Sequence, residues 1–493
     1  MIRRKPEGVA KEMNKRGFLP GVSRAVEDAV RKGGILIPAQ KDTHAHPLLQ
    51  GVMVEATRVV WLGENKNKKE VLKALDERAK EQKNVFGWGY AYEAGVTAED
   101  LDEISKEGIV VAMDTAMHGA VVNTKMLGEL HRRKKDGMKG KLQKDGKITE
   151  DFSFLAMQIL EETFLDRAVD AVETWMTKRI QEGTTAVDEK IIFTKVGAEV
   201  LREAVERVKK KFGFSPVKSA FISHELFMKN PEVLEYVRGF VPRVGVKWVN
   251  DGGTRNATLK DLTFADGTKG DEHTIPINVA DPAVVKDYIQ RLLEYGVRDM
   301  AWHAIGDGTV KLLLDAAPAF ISHGIDLEFQ HFNIVDEICM RRAAELVGIS
   351  ISLQPNYSTE AFRPDYARNL GDLKEKMNAI RTIIELYEAE GRKDRITFGT
   401  DGMPQSMLFA IACAVNAGYD AQRIGIEDAL YHAMDNTSIL DAPIIVVPAE
   451  TMDVLENMDM RAVVEDSMDN MAERLNSSVL MVANKKRILH RKE

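Results

Sequence analysis

From about residue 154 onward, amphipathic helical segments alternate with short apolar runs, and nearly every run ends in or beside an unusual polar residue. The runs lie at 183–188, 217–224, 244–249, 299–303, 326–331, 348–354 and 395–400, and an earlier one covers 35–41. Strands alternating with helices predict parallel βαβ units. Eight strands suit an open doubly wound sheet or a closed (β/α)8 barrel. The polar residues at the run ends choose between them: His46, Asp188, His224, Lys247, His303, His331, Gln354 and Asp401. In a barrel such residues converge on one pocket, whereas an open sheet spreads them along a crevice. The fold expected is an α/β (β/α)8 TIM barrel.

Three segments follow from this frame. Residues 1–34 are polar and helical in pattern, with an amphipathic stretch from Val22 to Val30 closed by Gly33 and Gly34. Residues 35–438 form the barrel. Within them, 48–180 is too long for an ordinary βα loop and is expected to be an insertion that caps the pocket. Residues 439–493 hold an apolar run, Ile444 to Val447, an acidic Met-rich helix from Met452 to Leu475, and a last strand, Val479 to Ala483. The methionines there suit packing better than chemistry. The basic stretch from His131 to Lys147 suits a solvated turn.

Bulk properties exclude some classes. A net charge of −8, with both signs interspersed, argues against a general nucleic-acid surface. Two cysteines, Cys339 and Cys413, make no disulfide framework and suggest a reducing compartment. No apolar signal core follows the basic N-terminal residues. No stretch approaches the ~18 apolar residues of a membrane span. The expectation is a cytoplasmic protein with no nucleic-acid or membrane partner; a homodimer is compatible with the chain.

Asp42-Thr43-His44-Ala45-His46 follows the first apolar run. Strand side chains alternate, so His44 and His46 share a face. Imidazole is the commonest metal ligand near neutral pH. The pair therefore reads as half of a metal site.

The strand ends, taken together, resemble the amidohydrolase superfamily, in particular its amidohydrolase-3 branch of N-substituted-formamide-deformylase-like proteins. The resembling segments are Asp42 to His46, Val246-Lys247 through Asp251-Gly252-Gly253-Thr254-Arg255, Trp302-His303-Ala304-Ile305-Gly306-Asp307, Gln330-His331, Gln354-Pro355-Asn356 and Phe398-Gly399-Thr400-Asp401. His118 to Leu127 resembles a segment of that branch's insertion. The resemblance implies a divalent metal bound by His44 and His46, a second bound by His303 and His331, and carbon dioxide held as a bridging carbamate on Lys247. Asp401 would bind the first metal. Nitrogen and oxygen ligands suit two Zn per chain, with Mn, Fe or Ni as alternatives.

The activity implied is hydrolysis of an amide-type C–N bond in a small-molecule substrate, an N-acyl or N-formyl compound, by metal-activated water, with Asp401 as general base and then general acid. Trp88, His118 and Arg255 are the expected substrate-binding residues. Each also has a structural reading: Trp88 and His118 could pack the insertion, and Arg255 could pair with Asp251 or Asp307. His224 is read evenly as pocket lining or structure. His131, His273, His323, His432 and His490 are expected at the surface.

Two alternatives stand beside the hydrolase: a heterocycle deaminase of the same superfamily, against which Lys247 argues, and a catalytically silent metal-binding regulatory protein. Three departures from the family pattern concern assembly and substrate choice. The flanking β-sandwich is expected to be absent or reduced to the runs near 444–447 and 479–483. Pro38-Ala39-Gln40-Lys41 replaces the usual Pro-Gly-Phe-Ile. Gln330 stands where Glu is common.

Overall fold

The computed structural model describes residues 8–63, 67–114, 117–138, 140–254, 257–358, 370–434, 443–458 and 468–492. The chain divides into two compact units: Met1–His46 with Met176–Ile192 and Val205–Glu493, and Pro47–Trp175 with Phe193–Ala204.

The first unit begins with two helices, Val9–Lys15 and Pro20–Arg31. Next come β1 (Gly34–Pro38) and β2 (Gln40–Ala45). The second unit supplies β3 (Val60–Trp61), β4 (Val85–Trp88), β5 (Val110–Met113), β6 (Gly119–Val122) and β7 (Lys147–Thr149). The chain then returns to the first unit as β8 (Thr184–Ile192), β9 (Val217–Ser223), β10 (Arg243–Val249), β11 (Asp299–Gly306), β12 (Asp326–Ile334), β13 (Ile349–Leu353) and β14 (Ile396–Phe398). It ends with β15 (Ile444–Pro448), β16 (Met481–Ala483) and β17 (Ile488–Arg491).

Eight parallel strands in the order β14-β13-β12-β11-β10-β9-β8-β2 make the barrel. Helices separate most of them, as the alternating pattern requires. The ends of that order, β2 and β14, meet through side chains. Thr43 Oγ1 donates to Phe398 O at 2.8 Å. Thr400 donates to Asp42 from its backbone N–H at 3.0 Å and from Oγ1 at 2.6 Å. Gly399 permits the close approach: a Cβ there would lie 2.4 Å from the His44 backbone nitrogen.

One boundary differs from the sequence reading. The run at 35–41 is two strands in two sheets. β1 pairs antiparallel with β15, and β2 pairs parallel with β8. The hand-over falls at Pro38, which has no N–H to donate. Ala39 N donates to Pro443 O and Gln40 N donates to Gly183 O, both at 2.9 Å. The flanking sandwich is thereby reduced to one four-stranded sheet, β1-β15-β16-β17. Val22 and Val26 of the helix Pro20–Arg31 pack on it with Leu36, Val446 and Met481. The helical stretch that leads up to the run at 183 is two helices, Asp151–Thr163 and Leu165–Gln181, parted at Phe164. The Met452–Leu475 helix divides likewise into Ala449–Asn457 and Met468–Ser477, with 459–467 outside the described residues.

The second unit holds a five-stranded sheet, β3-β4-β5-β6-β7. Its core joins Leu62, Val71, Leu75, Val110 and Val121. Among the described residues no helix is long and apolar enough to cross a membrane.

The barrel interior is not uniformly apolar. Lys190, fully buried on β8, places Nζ 2.6 Å from Glu328 Oε1 and 4.0 Å from Asp188 Oδ2. Lys41 Nζ lies 3.4 Å from the same Asp188 oxygen. Gln330 Nε2 donates to Glu328 at 3.0 Å, and the Lys190 ammonium sits 4.5 Å from the Phe221 ring centre.

Candidate metal centre

His44 and His46 hang from the end of β2, as strand alternation requires. Their ring centres are 5.1 Å apart. His44 is also 4.7 Å from His331, and His331 is 4.4 Å from His303. The four imidazoles thus form one contiguous cluster drawn from β2, β11 and β12.

Asp401 joins it from the turn after β14. Its backbone N–H donates to His44 O at 2.8 Å. Oδ1 lies 3.0 Å from His46 Nε2 and 3.5 Å from His44 Nε2. Oδ2 accepts from Tyr357 Oη at 2.9 Å and lies 4.0 Å from His331 Nδ1. Ligand atoms of His44, His331 and Asp401 all fall within 4.8 Å of one another. This tightest group takes members from both of the expected histidine pairs. His46 meets it through Asp401. His303 meets it through His331, while its Nε2 faces Gly252 O at 3.3 Å and Asp251 Oδ1 at 3.4 Å.

Two of these residues have backbone φ in the left-handed region, +72° at His331 and +53° at Asp401, as does Phe332 at +51°. On β12, Glu328 and Gln330 already face the interior, so a regular strand would turn His331 outward. The left-handed pair 331–332 breaks the alternation and keeps the ring inside. Such conformations cost about 1–3 kcal/mol each and persist where the surroundings enforce them.

Burial and charge set the protonation pattern. Burial, with His331 and Lys247 beside it, holds His44 well below its usual value. Burial also opposes charge on His46, but the carboxylates of Asp401 and Glu189 outweigh it and raise the ring to about 9. Burial likewise works against the Asp401 carboxylate, but His46, His331 and Tyr357 outweigh it and hold Asp401 well below the carboxylate range. Lys247, buried on β10, is pushed down to about 7 by burial and by Lys190, against the pull of Asp401 and Glu328. Asp42 rises to about 6 through burial, despite its bonds from Thr400 and His44 N.

The donor set fits a divalent cation. It consists of imidazoles and a carboxylate, with no thiolate, a composition suited to Zn and its neighbours. His46 Nδ1 is buried without a hydrogen-bond partner, and the nearest carboxylate oxygen, Glu189 Oε1, is 3.7 Å away. A low Lys247 pKa suits an amine that must be neutral to react with carbon dioxide. Glu189 and Lys190 escaped the sequence reading. The signal was their place directly after Asp188, where β8 continues beyond the apolar run.

Trp88 and His118, two of the expected substrate residues, belong to the second unit. Trp88 is buried on β4, its ring 6.1 Å from Trp61. His118 Nδ1 is 2.9 Å from Glu150 Oε2. Both side chains are held by residues of the second unit itself. Arg255 lies outside the described residues. His224 stacks on Tyr288, ring centres 5.5 Å apart, with Nδ1 3.1 Å from its hydroxyl. That contact favours the structural reading.

His432 corrects the surface expectation. It is buried, and its Nδ1–H donates to Ile396 O at 2.8 Å. Burial lowers both His224 and His432 to about 4. Unfolded, each titrates near 6.5. Between those values the unfolded chain binds more protons, so their contribution is full above about pH 6.5 and is lost as pH falls toward 4. Melting temperature is expected to drop between about pH 7 and 5, and less so in a His432→Gln variant. Equal drops in both proteins would contradict a neutral buried His432.

The sequence pattern of the amidohydrolase family matches residues 26–439. The fold is similar to that of an uncharacterized metal-dependent hydrolase from Pyrococcus furiosus, with 22% identity, a TM-score of 0.59, and 84% of this chain and 86% of that one covered. Two further structures align with a TM-score of 0.42. One is N-isopropylammelide isopropylaminohydrolase from Burkholderia multivorans, at 14% identity over 69% of this chain and 79% of that one. The other is guanine deaminase from C. acetobutylicum, at 11% identity over 92% and 87%. None of the curated protein sequences matches the chain.

Proposed function

Because the chain belongs to the amidohydrolase family, in its amidohydrolase-3 branch, we propose that it hydrolyses an amide-type C–N bond of a small N-acyl or N-formyl compound at a divalent metal centre. The observation that carries this reading is the convergence of His44, His331 and Asp401, with ligand atoms within 4.8 Å of one another inside one barrel.

His44, His46 and Asp401 would hold one metal, and His303 and His331 a second. Zn is the first candidate, with Mn, Fe or Ni as alternatives. When bound, the metal supplies water activation near neutral pH and polarisation of the substrate carbonyl. Lys247, whose amine burial pushes down to about 7, would be the residue to hold carbon dioxide as a carbamate and so add an oxygen donor to the site. Asp401 Oδ2 would take the proton released from water during attack. It would then pass that proton to the departing nitrogen, which leaves as an amine. Trp88, His118 and Arg255 are retained as candidate substrate contacts.

The test is a panel of N-acyl and N-formyl compounds assayed alongside metal analysis. Purified protein is expected to hold about two divalent ions per chain, and a chelator should abolish turnover until metal is restored. Hydrolysis that survives complete metal removal would overturn the reading. Deamination of a heterocycle with about one ion per chain would replace it with the deaminase.

A further inference from the structure

The two oxygens of Asp401 have different surroundings. Oδ1 faces the histidines of β2, and Oδ2 faces a phenol. We infer that Tyr357 is a positioning residue for Asp401: it holds Oδ2 in one place and so assigns Oδ1 to the metal and Oδ2 to the proton. The inference rests on the hydrolase reading above and extends it to a residue no family motif pointed to.

Three observations support it. First, the Tyr357 Oη to Asp401 Oδ2 distance is 2.9 Å, and Tyr357 is 6% exposed, so water competes little for that bond. Second, the tyrosine ring is fixed: it packs in a core cluster with Ile305, Ile334 and Leu370. A rigid ring gives its hydroxyl one location. Third, the turn that carries it is fastened to the turn that carries Asp401. Neighbouring Asn356 donates from Nδ2 to Thr400 O at 2.8 Å and to Met403 O at 2.6 Å. The Pro355–Tyr357 turn and the Thr400–Met403 turn therefore move as one piece.

A carboxylate left to rotate could offer either oxygen to a metal, or both. Anchoring one oxygen removes that choice. Partners of this kind, one bond beyond a metal ligand, typically govern affinity or activity by about 10–100-fold.

Tyr357→Phe keeps the ring in its cluster and deletes only the hydroxyl. Tyr387→Phe is the control: it also loses a buried phenol bond, to Ala343 O at 3.1 Å, but touches no residue of the site. Zinc affinity is measured by chelator competition, and kcat and KM at saturating zinc. Tyr357→Phe is expected to weaken zinc binding, or to lower kcat with KM kept within about threefold, by about 10–100-fold. Tyr387→Phe should change neither. Changes under about tenfold in both quantities, or equal changes in the control, overturn the inference. If the wild-type protein hydrolyses no amide, the hydrolase reading fails, and the zinc comparison alone decides on Tyr357.

Discussion

Replacing Asp401 by asparagine is expected to lower kcat by about 10²–10⁴-fold while most of the bound metal is retained. The two effects separate because the proposed mechanism gives Asp401 two jobs on two oxygens. An amide oxygen can still face His46 and His44, and the four histidines remain. The amide cannot accept and return a proton, which is the task assigned to Oδ2. Turnover and metal content measured on the same preparation distinguish the jobs. Near-normal turnover would remove Asp401 from proton transfer. Complete loss of metal would instead make it chiefly a ligand.

The second large effect concerns stability. Lys190 is fully buried and its ammonium is 2.6 Å from Glu328. Lys190→Met leaves the Glu328 carboxylate buried, with Gln330 as its remaining neighbour on β12. Breaking a buried pair on one side typically costs about 3–5 kcal/mol. Removing both charges usually costs far less, because no uncompensated ion remains. Lys190→Met is therefore expected to shift the denaturant midpoint strongly, and the Lys190→Met/Glu328→Leu double variant to recover most of the loss. Additive losses in the double variant would mean that the two side chains contribute independently.

Much of the barrel was legible because its signals are local. Each apolar run from 183 onward became a strand, and the polar residues within or just past β2, β10, β11, β12 and β14 had already been singled out. What stayed hidden depends on long-range or conformational facts. Nothing local says that β1 and β2 belong to different sheets, since Ala39 and Gln40 part company through bonds to Pro443 and Gly183. Lys190 reads as a strand-end lysine until Glu328, 138 residues later, comes beside it. The left-handed φ of His331 leaves no trace in the residue type. Tyr357 sits one residue past a recognisable Gln-Pro-Asn motif, and its value lies in where its hydroxyl ends up. His432 looked like a polar helix end, but the barrel strand β14 covers it.

The seam between β2 and β14 governs the order of assembly. Thr43 and Phe398, which help to close it, are 355 residues apart in the chain. Loop-closure entropy must be met before so distant a contact rewards it. During synthesis His44 and His46 leave the ribosome early and wait for Asp401, so the metal-binding group cannot be completed until the last barrel strand has emerged. The group that would hold a metal is thus completed only as the barrel closes.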